Sequence, residues 1–172
     1  LEGAERGRPA EARAWIEIAD AAAQRSGDAI LVTDVMVAKV RLQLESGAVD
    51  DASALADSAW SRRRREFGDD HPQVARVLTL RAWVEQYRLR WDEALALHAQ
   101  AAEILGHWYP ADHPTFASTH SAMAVIAAAQ GRIDEAEAGH RRAIALLEHA
   151  RGPMHREVGV PLTNLADLFA RS

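Results

Sequence analysis

The chain has 172 residues, a formal charge of −5, a pI near 5.9, no cysteine and 48% hydrophobic content, with aromatics at only 6%. That is enough apolar material for one core, while the acidic balance removes any overall basic field for nucleic acid or anionic membrane. The missing thiols exclude disulfides, thiol catalysis and thiolate metal sites, and no apolar run approaches the roughly 18 residues of a membrane span.

The apolar set is dominated by Ala and Leu, and strong β formers are sparse between residues 50 and 150, a composition that favours close-packed helices. The first predicted helix, "PAEARAWIEIADAAAQ", aligns as the second helix of a pair whose first is absent. It leaves Trp15, Ile16 and Ile18 uncovered. No signal-peptide core precedes it, so a cytoplasmic chain is expected. Because the sequence opens at Leu1 and stops inside an apolar-periodic pattern, it is expected to be a piece of something longer.

From Gly27 the stretch "AILVTDVMVAKVRLQLESG" keeps helical periodicity, and "DDA" at 50 to 52 begins its partner helix. That partner ends in "SRRRREFG". Four consecutive arginines offer planar forks to phosphate or acidic peptide. Consecutive residues point around a helix, however, and positive charge suits a helix C-terminus. The solvated reading is preferred, and nucleic-acid binding through this run is not expected.

The next stretch, "GDDHPQVA" at 68 to 75, returns 42 residues later as "PADHPTFA" and 42 after that as "GPMHREVG". At the same shift "DDA" aligns with "DEA" at 92 to 94 and at 134 to 136, and Ala59 with Ala101 and Ala143. Agreement at separate places in one period marks an internal repeat. Its third copy shows the unit. "HPTFASTHSAMAVIAAAQG" starts a helix at Pro114, with Asp112 and His113 as candidate caps, and ends at Gly131. "RIDEAEAGHRRAIALLEHARG" places Asp134 and Glu135 at the positive helix end, and Ile133, Ala136, Ala143, Ile144 and Leu147 along one apolar stripe.

The short "QGRID" link makes the two helices antiparallel neighbours. One such pair cannot cover both of its apolar sides, and stacked pairs can. Ala82 with Ala94, and Ala124 with Ala136, are the expected points of closest helix approach. The last predicted helix, "EVGVPLTNLADLFARS", is a first helix without its second and leaves Leu162, Leu165, Leu168 and Phe169 uncovered. Uncovered apolar ends invite pairing between copies of the chain.

The expected architecture is all-α: a right-handed αα superhelix of about eight antiparallel helices in one domain over 1–172. It divides into a partial repeat 8–26, repeats 27–68, 69–110 and 111–152, and a partial repeat 153–172.

The pattern resembles the tetratricopeptide repeat superfamily in its 42-residue kinesin-light-chain-like form, through "DHPQVA", "QGRIDEAEAGHRRAIAL" and "VGVPLTNLADLF". In that superfamily first helices line a concave groove. The resemblance therefore implies a binding face through Arg41, Arg76, Thr79, Trp83, Tyr87, Ser118, Ser121 and Asn164, with Asp34, Val37, Val125, Thr163 and Asp167 alongside. Asn164 holds the family's Asn position, whereas Ala38, Leu80 and Ala122 replace it elsewhere, which weakens main-chain capture. The paired Lys and Asn clamp of chaperone-tail receptors is missing, with Val37, Arg41, Ala38, Arg76 and Leu80 in its place.

Trp83 and Tyr87 are four apart on one face, with Arg76 seven before Trp83. Such a set serves either as a binding anchor or as packing. Eight histidines raise a metal site. His71, His113 and His155 belong to successive repeats about 10 Å apart, whereas zinc ligands converge within about 2 Å; His98 and His140 fit a packed core. No metal or other cofactor is expected, and no catalytic signature is present. The function expected is a scaffold that holds a peptide or protein surface. The alternative is a structural or self-associating array in a multidomain bacterial regulator, docking on its own effector domain.

Overall fold

A computed structural model describes residues 2–171, with side chains for 11–170. Leu1 and Ser172, the ends of the domain expected over 1–172, lie outside the described residues, as do the side chains of 8–10 in the expected partial repeat. Eight α-helices follow in order: α1 (Glu2–Ser26), α2 (Ala29–Glu45), α3 (Val49–Phe67), α4 (Pro72–Tyr87), α5 (Trp91–Trp108), α6 (Phe116–Ala129), α7 (Ile133–Arg151) and α8 (Gly159–Arg171). A 3₁₀ turn, Arg156–Val158, leads into α8, and no strand occurs among the described residues. Each helix packs on the next, and α2 on α4 and α6 on α8 as well, which makes an αα solenoid.

The recurring histidine caps the turn that leads into each first helix, and at α4 it is the helix N-cap itself. An imidazole nitrogen with a free lone pair can accept one of the amides that a helix start leaves unpaired. His71 Nδ1 accepts from the Gln73 amide at 3.1 Å, His113 Nδ1 from Thr115 at 3.2 Å and His155 Nδ1 from Glu157 at 3.4 Å. At α2, where the histidine is lost, Asp28 Oδ1 accepts from Ile30 at 2.8 Å and from Leu31 at 3.2 Å. An aromatic four residues earlier holds the ring in two copies. Phe67 stacks on His71 at 4.5 Å and Tyr109 on His113 at 4.4 Å. Trp108 meets the edge of His71, and its indole N–H donates to the Asp70 carbonyl at 2.6 Å.

Several expectations change in detail. Leu165 and Leu168, expected to be uncovered, are buried against Ala127 and Ala136 because those faces of α8 turn onto α6 and α7. Pro72 does open α4, but α6 begins at Phe116 rather than Pro114. The carbonyls of His113 and Pro114 instead accept from Phe116 and Ala117 in a tight turn, and Asp112 is exposed. The arginine run is not wholly solvated, because Arg63 is fully buried, donating to the Ala29 carbonyl at 2.7 Å and pairing with Glu66. The expectation that the run points around the helix explains this, since one of four must then face inward. Ile133, placed on the buried stripe, is 37% exposed and borders an open recess beside α8.

Small residues set the spacing. Ala52, Ala94 and Ala136, and equally Ala59, Ala101 and Ala143, are wholly buried. The closest approach of α6 and α7 is tighter than two alanines allow. A Cβ on Gly139 would lie 2.8 Å from Ala124 Cβ and 3.2 Å from the His120 carbonyl. Gly131 leaves α6 with φ +76° and Gly47 follows α2 with φ +79°, but the same position after α4 is Leu89, at φ +58°.

Left-handed backbone costs a non-glycine residue about 1–2 kcal/mol, against about 0.5–1 kcal/mol of extra chain entropy for glycine. Leu89→Gly is therefore expected to raise stability by about 0.5–1 kcal/mol in urea unfolding. Gly139→Ala gains about 1 kcal/mol of helix propensity but overpacks the α6–α7 contact at about 1–3 kcal/mol. A net loss of up to about 2 kcal/mol is expected by the same measurement. His71→Ala, which removes the N-cap of α4, should cost about 1 kcal/mol, and His71→Asn, which keeps an acceptor, less.

Candidate functional site

The first helices α2, α4, α6 and α8 carry the residues expected to bind, and the structure distributes them over three recesses. Around Arg41, Trp83 and Tyr87 lies a recess of about 210 Å³, completed by Leu44, Glu45 and Gln86. Its floor follows from helix geometry. Leu44 is buried in a cluster with Val40, Ala52, Ala56, Leu80 and Val84, and Trp83 packs on that cluster with one side. The other side of the indole carries the Arg41 guanidinium, 5.5 Å from the ring centroid. Tyr87, one turn further along α4, is 52% exposed. Trp83 is thus half-buried, packed against that cluster and beneath the Arg41 guanidinium. Arg41 has no carboxylate partner among the described residues, so its donors are available to a ligand.

Arg76 is drawn elsewhere. It pairs with Asp34, its counterpart one repeat earlier, which joins α2 to α4 and neutralises both charges. It borders a second recess of about 490 Å³ with Ser118 and Ser121, walled by Leu147, Val160 and Pro161. Thr79 turns its hydroxyl back to the Ala75 carbonyl at 3.3 Å. Ser118 does the same to Thr115 at 3.5 Å and remains exposed.

Ser121 and Asn164 serve an internal chain. The Asn164 amide donates to Ser121 Oγ at 3.4 Å, and the Ser121 hydroxyl is 3.3 Å from His140 Nδ1, to which it donates when that nitrogen is unprotonated. A third recess of about 440 Å³ opens over His140, Asn164 and Asp167. Glu45 and Gln86 were missed from the sequence. Their positions, four after Arg41 and three after Trp83, put them on the same helix faces.

The core histidines bear on acid stability. His98 is completely buried, with one ring nitrogen 3.1 Å from the Gln86 amide and the other unpartnered. Burial pushes its pKa down to about 4 and lowers those of His140 and His120, the latter also through Arg142. Exposed His107 is raised instead by its hydrogen bond to Asp70. Among the described residues no three of His, Asp and Glu gather as a metal cage.

Comparison with known proteins follows the fold. Residues 31–106 match the family model described as Tetratricopeptide repeat. No curated protein matches in sequence. Among solved structures, BtubC (BKLC) from P. vanneervenii superposes with a TM-score of 0.66 at 19% identity, covering 96% of this chain and 67% of that one. A point variant of nearly identical TPR-like repeats from Podosopora anserina gives 0.61 at 17% identity, covering 96% and 79%. A second structure of those repeats gives 0.58 at 17%, covering 94% and 87%.

An unfolded imidazole titrates near pH 6.5, so between about pH 6.5 and 4 the unfolded state takes up the proton that folded His98 refuses. Stability present above that window is lost as pH falls through it, by on the order of 3 kcal/mol. His98→Leu is expected to flatten this part of the stability profile relative to the unaltered chain, measured by urea unfolding at successive pH values.

Proposed function

Taking the chain as an array carrying tetratricopeptide repeats, we propose that it is a scaffold holding a peptide or protein surface on its first-helix face, around Arg41, Trp83 and Tyr87. Tetratricopeptide arrays generally mediate protein–protein interaction. The observation that carries the proposal is the open recess in which an exposed phenol, an indole and an uncompensated guanidinium converge beside the Glu45 carboxylate. Rigid aromatics beside arginine dominate measured interface energies. Arg76, Ser118 and Ser121 line the next recess toward α8, Asn164 stands behind Ser121, and Thr79 lies on α4 between Arg76 and Trp83.

Nucleic acid is disfavoured as the partner, since three of the four arginines at the end of α3 already face Glu66 or Asp69. Among the described residues no helix is long and apolar enough to cross a membrane. The proposal includes a cytoplasmic, bacterial setting, the Arg- and Ala-rich composition being compatible with a bacterial origin. It assigns no chemistry to the chain, in keeping with a generally non-enzymatic family.

A second reading, self-association or docking inside a larger regulator, is supported by apolar side chains standing out from the terminal helices. Trp15 is 70% and Ile18 58% exposed on α1, and Val160 65% and Leu162 46% on α8. Light scattering across a concentration series tests it; a mass that stays monomeric at every concentration counts against self-association.

For the main proposal, peptides selected from a random display library on the unaltered chain are rebound to Arg41→Glu and Tyr87→Ala, both on exposed positions that spare the core. Loss of affinity by about 30-fold or more, equivalent to about 2 kcal/mol, is expected with unchanged melting. Ligands that bind the two variants as tightly as the parent would place the site elsewhere.

A further inference from the structure

The geometry points to a subsite for the side-chain carboxamide of a partner's glutamine, in the recess of about 440 Å³ between α6, α7 and α8. The repeat supplies the comparison, because one position of each second helix answers one position of its first helix at the same 42-residue shift. In α2 and α3 the two are Leu44 and Ala56, which meet in an apolar cluster. In α4 and α5 they are Gln86 and His98, and the Gln86 amide lies 3.1 Å from His98 Nε2. In α6 and α7 they are Ala128 and His140. The imidazole is kept, at 1% exposure, but the carboxamide that serves it one repeat earlier is replaced by a methyl group. The place is open, since Ala128 and His140 both line the recess, and Trp83, Tyr87 and Trp91 of the earlier pair give way there to the smaller Val125, Ala129 and Ile133.

A chain of hydrogen bonds sets what the imidazole offers. The Asn164 amide donates to Ser121 Oγ at 3.4 Å, and the Ser121 hydroxyl turns its own proton to His140 Nδ1, 3.3 Å away. An imidazole that accepts at Nδ1 carries its proton on Nε2, and burial favours this neutral ring by lowering its pKa. Nε2–H is therefore a donor on a buried ring with no protein acceptor among the described residues. A buried donor left unmet costs more than a met one gains.

The group that meets it must accept a hydrogen bond, fit between apolar walls of Val125, Ile133 and Leu168, and suit the exposed Asp167 carboxylate and Asn164 beside them. A carboxylate is repelled by Asp167, and an ammonium or guanidinium has no lone pair for Nε2–H. A primary carboxamide meets all three conditions, because its oxygen accepts from Nε2–H while its NH2 group supplies donors for the Asp167 and Asn164 oxygens. It is also the group that the chain itself places at this point one repeat earlier, in Gln86. Glutamine is assigned over asparagine because the imidazole lies at the buried floor, where the longer side chain is needed. The subsite shares no residue with the recess of Arg41, Trp83 and Tyr87, so it stands or falls without that one.

Capped amino acids isolate the side chain. N-acetylglutamine methylamide is titrated onto the chain and followed by NMR at the His140 ring nitrogens and the Ala128 and Asp167 amides, in parallel with N-acetylglutamate methylamide, N-acetylnorleucine methylamide and free glutamine. A Kd on the order of 1 mM is expected for the capped glutamine, as suits so small a ligand. The capped glutamate and norleucine should bind at least about fivefold more weakly, the worth of one net hydrogen bond. Ala128→Gln supplies the earlier pair's own carboxamide and should abolish the binding with melting unchanged, whereas Arg41→Glu should leave it intact. Norleucine binding as tightly as glutamine marks a merely apolar recess, tighter binding of free glutamine marks a free amino-acid site, and no shift at about 10 mM leaves the imidazole to water. Each of these overturns the proposal, as does a folded Ala128→Gln chain that binds as before. Should Ala128→Gln fail to fold, the comparison of the four probes decides alone.

Discussion

The close approach of helix pairs through small side chains is the constraint on which the rest of this molecule depends. Two alanines per second helix, repeated at the same places in α3, α5 and α7, are removed completely from water. A larger side chain at any of them would push a helix away from both of its neighbours, because an interior packed at crystal-like density has no slack to absorb it. One contact is tighter still, and there the chain carries glycine, Gly139 against Ala124, where the earlier copies have Leu55 and Leu97. Identical interfaces thus require identical residues in step, and a 42-residue period is the visible consequence.

The starts of the first helices obey a second rule with the same origin. Each turn from one pair to the next leaves amides unpaired at the start of a helix, and an imidazole held by a stacked aromatic accepts one of them. Where the histidine is gone the aspartate at α2 does the same work with two bonds. The feature that invites a metal or catalytic reading is therefore structural, and its recurrence is the sign of that, since a reactive centre has no reason to recur in every unit.

Repetition also makes departures from it informative. Ion pairs through Arg76 and Arg81 tie α2 and α3 to α4, while the residues 42 further on, Ser118 and Met123, carry no charge. The departures on the first-helix face are equally local. Trp83 and Arg41 have no aromatic or cationic counterpart on α6, where Val125 stands in the place of Trp83, so the indole with its guanidinium occurs once. A surface built from copies becomes specific only where the copies differ.

Several features were legible in the residues alone: about eight helices, their antiparallel order, the small in-step alanines, the burial of His98 and His140, and the scarcity of strong β formers between residues 50 and 150. All follow from periodicity, spacing and turn chemistry, which act over a few residues or recur at one interval. What partners each polar side chain finds was not legible. Arg76 joins Asp34 rather than Trp83, Arg63 turns inward while its neighbours face solvent, and Asn164 is engaged by Ser121. The division of one expected groove into three recesses and the later start of α6 also awaited the fold. The reason is physical. A repeat fixes which helix faces meet, but the side-chain contact made there depends on the tilt and separation of helices about 42 residues apart, and only their packing in three dimensions sets those.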